Sequence, residues 1–295
     1  AESLQITNAY KIRGVLNCLL SLRERDMLPK KIVSYSSGNH AKALAYASSL
    51  FDIDVTIFMP KYTSIAKQNS VKRYNVNLVL TDTRAEAEEN VQQYARDGYY
   101  NIHPSSNDMV IAGNGTICFE ALKYSNILPD AVFAPCGGGG LLSGCLIASR
   151  NFAKKILIYG GEPKLADDAH RSLESGKIFR FDSSPNTIAD GARTLSITDK
   201  NFSYLKEIDG IYTIDEYEIM YWTVWIGELL NIPIEPTAAL AFAAATRWLI
   251  KQNESKNIIV IISGGNIDQN IYEKLSLNDY LKNKPNIEFI KSIIN

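Results

Sequence analysis

The sequence predicts an α/β fold, with parallel-rich sheets flanked by helices and two domains. Three observations carry this. Short apolar, β-branched runs alternate along the chain with longer amphipathic stretches, which is the pattern of strands joined by crossover helices. Those runs are apolar throughout rather than alternating, as strands covered on both faces are. Three of them pass directly into small polar or glycine-rich loops, and in open α/β sheets ligands bind beyond the carboxyl ends of the strands.

The elements follow in order. Strands are expected at Lys31–Tyr35, Val55–Met59, Asn77–Leu80, Ala131–Ala134, Ile156–Gly160 and Ile258–Ile262. Helices are expected at Ala9–Arg25, His40–Leu50, Ser64–Tyr74, Arg84–Gly98, Gly115–Tyr124, Leu141–Asn151, Ala166–Ser175, Glu216–Leu230 and Thr237–Lys251. The polar, Asn/Lys-rich segment after Ile267 reads as a surface helix with a frayed end. The domain reading places residues 31–107 in a small domain inserted into a larger one made of 1–30 and 108–295, with a cleft between them.

Composition excludes several classes of function. With 31 Lys+Arg against 32 Asp+Glu, the chain has no basic field for nucleic acid. No run approaches the roughly 18 apolar residues of a membrane span. No signal peptide opens the sequence. Cys18, Cys118, Cys136 and Cys145 form no CxxC pair and read as buried thiols of a cytoplasmic protein. The three histidines show no HxxxH spacing.

The loops carry the chemistry. Gly137-Gly138-Gly139-Gly140 lies between the strand Ala131–Ala134 and a helix beginning at Leu141. Four glycines forgo side-chain packing and cost conformational entropy, which a plain turn does not require. At a helix N-terminus they offer backbone N–H groups to an anion, and a phosphate is the expected occupant. Ser36-Ser37-Gly38-Asn39-His40 and Ser263-Gly264-Gly265-Asn266 follow two other strands, so one crevice is expected. There is no GxxxxGK[ST] and no GxGxxG opening a βαβ unit, so neither a nucleotide triphosphate nor a dinucleotide fits well. A monophosphate cofactor fits better, and pyridoxal phosphate is the candidate; it needs a lysine for its covalent attachment.

Six segments, in order, resemble the fold-type II pyridoxal-phosphate enzymes related to serine racemase and threonine dehydratase, of the tryptophan synthase β-like fold. They are Asn8–Asn17 around Lys11, Ser36–His40, the tetraglycine, Thr187–Gly191, Ile234–Ala238 and Ser263–Asn266. The likeness runs from residue 1 to about residue 268. It implies that Lys11 anchors the cofactor and acts as base at Cα, and that Tyr10 packs beside the pyridine ring. It further implies that Asn39 bonds the cofactor's 3′-oxygen, that Gly137–Gly140 with Leu141 bind the phosphate, and that Ser263 faces the pyridine nitrogen. A neutral hydroxyl there does not keep that nitrogen protonated, which favours elimination or reprotonation at Cα over transamination.

The same resemblance puts the substrate carboxylate on Ser36, Ser37, Asn39 and His40. Plain threonine dehydratases commonly have Ala at the position of Ser37, whereas serine racemases and 3-hydroxyaspartate dehydratases have Ser. A hydroxyl opposite Lys11 would be the second acid/base that inverts Cα; equally, Ser37 would simply cap the following helix. Glu162, Asp168 and the Ala166 carbonyl resemble the family's divalent-cation segment, where oxygen ligands suit Mg²⁺, Ca²⁺ or Mn²⁺; an acid-rich helix start gives the same pattern. The implied activity is β-elimination from serine or threonine to a 2-oxo acid and ammonia, by a homodimer acting on a small amino acid. The alternatives are racemisation, 3-hydroxyaspartate dehydration, or a non-catalytic homologue. Family members usually carry a helix and a strand ahead of the lysine segment, and the reading expects these to be missing here.

Overall fold

The computed structural model describes residues 1–294. Two four-stranded, wholly parallel sheets organise it. The strands of the first are β1 (Lys31–Tyr35), β2 (Asp54–Pro60), β3 (Asn77–Thr81) and β4 (Tyr100–Asn101), in the order β3-β2-β1-β4. The second contains β5 (Ala131–Pro135), β6 (Leu157–Pro163), β7 (Gly210–Ile214) and β8 (Ile258–Val260), in the order β7-β6-β5-β8. The helices are α1 (Lys11–Glu24), α2 (Asn39–Ser49), α3 (Ile65–Lys72), α4 (Arg84–Arg96), α5 (Asp108–Tyr124), α6 (Gly140–Phe152), α7 (Asp168–Ser175), α8 (Asp199–Leu205), α9 (Glu216–Leu230), α10 (Pro236–Leu249), α11 (Gln269–Ser276) and α12 (Ile287–Ile294). Parallel strands need crossovers, and helices supply them here.

Each sheet has its own core. Ile32, Ile57 and Met59 of the first pack with Ile12, Val15, Leu19 and Leu22 of α1 and with Leu44 of α2. Val132, Ala134 and Ile158 of the second pack with Leu142, Cys145 and Leu146 of α6. On the opposite face of β5, Phe133 meets Trp248 of α10. A row of closely packed helices, α1, α5 and α6, joins the two halves. A Cβ on Gly14 would come within 2.5 Å of Asn114 Oδ1, and one on Gly115 within 2.6 Å of the Gly144 carbonyl oxygen. Larger residues would therefore push these helices apart.

The structure departs from the sequence reading in several elements. α5 begins at Asp108, seven residues before the expected Gly115, because Asn107 caps it by accepting from Met109 N and Val110 N. β4, β7 and α8 were not anticipated. β8 ends at Val260, two residues early. The C-terminal segment is not one frayed helix: α11 and α12 follow β8, and Leu275, Tyr280 and Ile290 are buried against α9. Trp225 Nε1 donates to the Tyr280 carbonyl at 3.0 Å, which fastens it.

The three polar loops named above leave the carboxyl ends of β1, β5 and β8 and face one another. No helix among the described residues is long and apolar enough to cross a membrane. All four cysteines are free and buried.

Candidate active site

The polar loops meet in one cavity of about 200 Å³. Its wall contains Tyr10, Lys11, Ser36 to His40, Gly137 to Leu141 and Ser263, so every residue expected to hold cofactor or substrate borders it. Lys11 reaches this place through a backbone splice. Tyr10 N donates to the Ser263 carbonyl at 3.0 Å, Gly265 N donates to the Asn8 carbonyl at 2.9 Å, and Ala9 pairs with Gly264 in an antiparallel bridge. The lysine segment is thus tied to the end of β8 before α1 begins.

Lys11 Nζ donates to the Pro104 carbonyl at 2.8 Å and lies 5.0 Å from the Tyr10 ring centroid. Burial lowers its pKa from 10.5 to about 8; the charge of Arg84 adds to this and Glu235 opposes it. About a tenth of the amine is therefore neutral, and nucleophilic, at pH 7, and about half at pH 8. Burial also pushes the Tyr10 hydroxyl above its ordinary range, so that ring stays a neutral wall.

The tetraglycine loop is fixed by close backbone packing. Gly139 is left-handed (φ 81°) and caps α6. A Cβ on Gly140 would stand 2.5 Å from the Ser105 carbonyl oxygen, and one on Gly137 2.9 Å from that of Gly191. Asn201, from α8, donates to the carbonyls of Gly138 and Ser105 and holds the turn. The first N–H groups of α6, without partners inside the helix, face the cavity.

Ser263 is almost wholly buried and its Oγ has no hydrogen-bond partner among the described residues. An unpartnered buried hydroxyl costs about 1–3 kcal/mol, so a ligand atom is its natural complement. Amine, backbone cradle and neutral hydroxyl together fit pyridoxal phosphate: one for its carbonyl carbon, one for its phosphate, one for its ring nitrogen.

The Ser36–His40 loop divides its labour. Ser36 Oγ accepts from Gly38 N at 3.2 Å. Gly38 is the N-cap of α2 and no side chain caps that helix, so the Ser37 hydroxyl is not spent on capping. The His40 side chain points inward, Nε2 lying 3.0 Å from the Ile102 carbonyl and 3.2 Å from Ser34 Oγ. Its other ring nitrogen, Nδ1, has no hydrogen-bond partner among the described residues. Burial lowers its pKa to about 3, so the ring is neutral.

Asn39 has partners that the sequence did not reveal. Its Nδ2 donates to both oxygens of Glu235, at 2.8 and 3.0 Å, and its Oδ1 accepts from Asn266 Nδ2 at 2.8 Å. Glu235 is buried and also accepts from Asn266 N at 3.2 Å. Burial and the charge of Asp190 raise its pKa from 4.5 to about 7. At the cavity mouth, Lys67 of α3 pairs with Asp190 and with Asp268, the latter at 3.6 Å. Glu235 and Asp190 lie in segments that the sequence singled out without a role; Asn201 and Lys67 carry no local signal.

Glu162, next to last in β6, and Asp168, the first residue of α7, are both fully buried, and each feels the other's charge. Glu162 accepts from Ala169 N and His170 N at 3.0 and 2.9 Å, capping α7. Asp168 Oδ1 accepts from Thr194 Oγ1 at 3.0 Å, while its Oδ2 has no partner among the described residues. Among the described residues, no group of three or more His, Cys, Asp or Glu is arranged to hold a metal ion.

Comparisons with known proteins agree on one family. A family model described as "Pyridoxal-phosphate dependent enzyme" matches residues 1–264. L-threo-3-hydroxyaspartate ammonia-lyase of Saccharomyces cerevisiae is 35% identical over 279 residues, covering 93% of this chain and 84% of the yeast protein. The structure of maize serine racemase superposes with a TM-score of 0.85 at 32% identity, covering 96% of this chain and 86% of that one. The processed form of threonine deaminase isoform 2 from Solanum lycopersicum gives a TM-score of 0.85 at 30% identity, with 94% and 81% covered.

Proposed function

The chain belongs to the family of pyridoxal-phosphate dependent enzymes, and on that premise we propose that it deaminates a β-hydroxy amino acid by β-elimination. The observation that carries this is Lys11: a buried amine with a lowered pKa, in one cavity with a glycine cradle and an unpartnered hydroxyl. The names of the relatives, an ammonia-lyase and a threonine deaminase among them, support the reaction type. When bound, pyridoxal phosphate supplies the electron sink that makes the Cα proton acidic. The Gly137–Leu141 main chain binds the phosphate and Ser263 meets the ring nitrogen without a charge. Tyr10 packs beside the ring, and Asn39, steadied by Glu235, faces the 3′-oxygen. The N–H groups and hydroxyls of Ser36, Ser37, Asn39 and His40 orient the substrate carboxylate.

Lys11 takes the proton from Cα. The β-hydroxyl takes up that proton and leaves as water, and the released enamine takes up a water to give a 2-oxo acid and ammonia. A second reading rests on Ser37. Its hydroxyl is not a helix cap, which leaves it to return a proton to the opposite face of Cα and racemise the substrate. The test is 2-oxo acid release from L-serine, L-threonine and 3-hydroxyaspartate by the enzyme loaded with pyridoxal phosphate, with chiral analysis of the remaining substrate. Release from at least one is the expected result; a loaded enzyme that binds all three and turns over none would leave a non-catalytic homologue.

Further assignments complete the proposal. Residues 31–107 form the small domain and 1–30 with 108–295 the large one, each sheet lying on one side of that division. Glu162, Asp168 and the Ala166 carbonyl hold a Mg²⁺-like cation, supported by two adjacent buried carboxylates and the unpartnered Asp168 Oδ2. The protein is a homodimer, supported by exposed Phe119 and Phe152, which pack together on the outer face of α5 and α6. Four free, buried thiols support a cytoplasmic location.

Glu235 gives this site a pH dependence of its own. Ionised, it accepts from Asn39 and Asn266 together; protonated, one oxygen becomes a donor and that grip loosens. Cofactor affinity is therefore expected to fall about 10-fold as pH drops through 7, and Glu235→Gln to remove the component centred on 7, leaving that of Lys11 near 8, while lowering affinity at pH 8. Absorbance titrations with pyridoxal phosphate between pH 6 and about 8.5 measure it. Stability runs the other way. With the folded value about 7 and the ordinary value 4.5, the folded chain binds the extra proton between them, so this group makes the fold less stable as pH rises through that window.

A further inference from the structure

Cys118 of α5 and Cys145 of α6 are fully buried thiols that the proposed reaction does not use. They share one apolar cluster, each within hydrogen-bonding reach of the other. The helices that carry them cross with their backbones in contact. A Cβ on Gly115 would stand 2.6 Å from the Gly144 carbonyl oxygen, and one on Gly144 2.6 Å from Gly115 N. Cys145 directly follows that crossing, and Cys118 lies one turn beyond it with its Sγ 3.2 Å from Ser149 Oγ. So close an approach is what a disulfide requires, since its Cα atoms stand about 4.4–6.8 Å apart.

The two thiols are unlike. The Cys145 thiol pulls that of Cys118 below its ordinary pKa, against burial and with help from Ser149. Cys145 is itself pushed well above, by its bond with Cys118 and by burial. One sulfur is thus the better thiolate and the other keeps its proton. The remaining cysteines are placed differently: Cys136 Sγ turns to the Gly137 carbonyl at 3.5 Å, and Cys18 belongs to the core of the first sheet.

We propose that Cys118 and Cys145 form a reversible disulfide, a redox modification site that takes a small uncharged peroxide as its oxidant and loosens the phosphate cradle. The Cys118 thiolate attacks one oxygen of hydrogen peroxide and the O–O bond breaks. The other oxygen takes up the proton that Cys118 gave up and leaves as the first water. The Cys145 sulfur then attacks the sulfur of the Cys118 sulfenic acid, the S–O bond breaks, and the Cys145 proton leaves with that oxygen as the second water. Two thiols have lost two electrons and two protons to the peroxide. The connection to the site runs along α6, which begins at Gly140 and carries Cys145 in the cluster against which Tyr10 packs. Drawing the sulfurs to about 2.05 Å asks α6 to shift against α5. At Gly115 and Gly144 there is no room for it, so the shift is passed to the helix start and its N–H groups. This requires only that the cofactor sit in the cradle, whatever reaction follows.

The full chain, treated with hydrogen peroxide, quenched with catalase, then unfolded and alkylated, is mapped by mass spectrometry. The dissociation constant for pyridoxal phosphate is measured by absorbance on treated and untreated protein. A peptide linked through Cys118 and Cys145 is expected, with Cys18 and Cys136 recovered alkylated. The same treatment should raise the dissociation constant at least about 10-fold, and dithiothreitol should reverse both changes. Cys118→Ser and Cys145→Ala should each bind the cofactor within about 3-fold of the native protein and keep that affinity after peroxide. The map of the native chain decides the linkage without any variant. If it contains no Cys118–Cys145 link, or if peroxide weakens cofactor binding equally in Cys118→Ser, the site is overturned. A link that forms and leaves the affinity unchanged overturns its connection to the cradle.

Discussion

Lys11→Ala is expected to reduce 2-oxo acid release at least about 10⁴-fold and to eliminate the absorbance near 410 nm that marks pyridoxal phosphate joined to a lysine. Two properties of the site set this expectation. The amine is the cavity's candidate for both the covalent attachment and the base at Cα, so one substitution removes two functions. It is also tuned, because burial and the charge of Arg84 bring its pKa to about 8. At pH 8 about half of the side chains are neutral, whereas a lysine at its ordinary value would be neutral in only about 0.3% of molecules. The rate at which cofactor-free enzyme takes up pyridoxal phosphate should accordingly rise with pH about a midpoint near 8, rather than near 10.5. Lys11→Arg, which keeps the positive charge but provides no neutral amine, should not rescue either property. A 410 nm band that survives Lys11→Ala would show that another lysine holds the cofactor, and the assignment would fail.

The parts of this fold legible in the sequence were those that local chemistry determines. β1, β2, β3, β5, β6 and β8 are apolar runs ending in turn residues, and the crossover helices carry their own periodicity. β4, only two residues long, has no run to read. The start of α5 was hidden because Gly113 and Gly115 look like breakers, although they serve close packing against α1 and α6. The C-terminal segment is polar overall, yet a few spaced apolar residues, Leu275, Tyr280 and Ile290, are buried in the core that α9 helps form. The site divides in the same way. Lys11, Ser37, Asn39, the glycines and Ser263 lie on contiguous loops whose composition is itself unusual. Glu235 acts through Asn39, 196 residues away, and Asn201 through a carbonyl 63 residues away. Arg84 reads in sequence as the first residue of a helix with an i,i+4 partner in Glu88. That it faces a crevice depends on where the other sheet sits, and no local pattern contains that information.

The second large effect is expected at Gly140. An alanine Cβ there would stand 2.5 Å from the Ser105 carbonyl oxygen and 2.9 Å from its Cα. Those are backbone atoms, and Asn201 holds that same carbonyl together with that of Gly138, so the neighbour has little room to yield. The strain must move the loop, and overpacking of this kind costs about 1–3 kcal/mol of stability. A moved loop also withdraws the N–H groups that face the phosphate. Losing two charge-assisted hydrogen bonds weakens binding by about 3 kcal/mol, or more than about 100-fold in cofactor affinity. Gly140→Ala should therefore lower the melting temperature and raise the dissociation constant for pyridoxal phosphate, both measurable on one purified sample. Gly227→Ala is the matched control. It lies within α9, its added methyl would meet nothing closer than 3.7 Å, and alanine favours the helix by about 0.5–1 kcal/mol. That variant should melt no lower than the native protein and bind the cofactor equally well. Native affinity in Gly140→Ala would mean that the loop accommodates a side chain, and its role as a phosphate cradle would have to be abandoned.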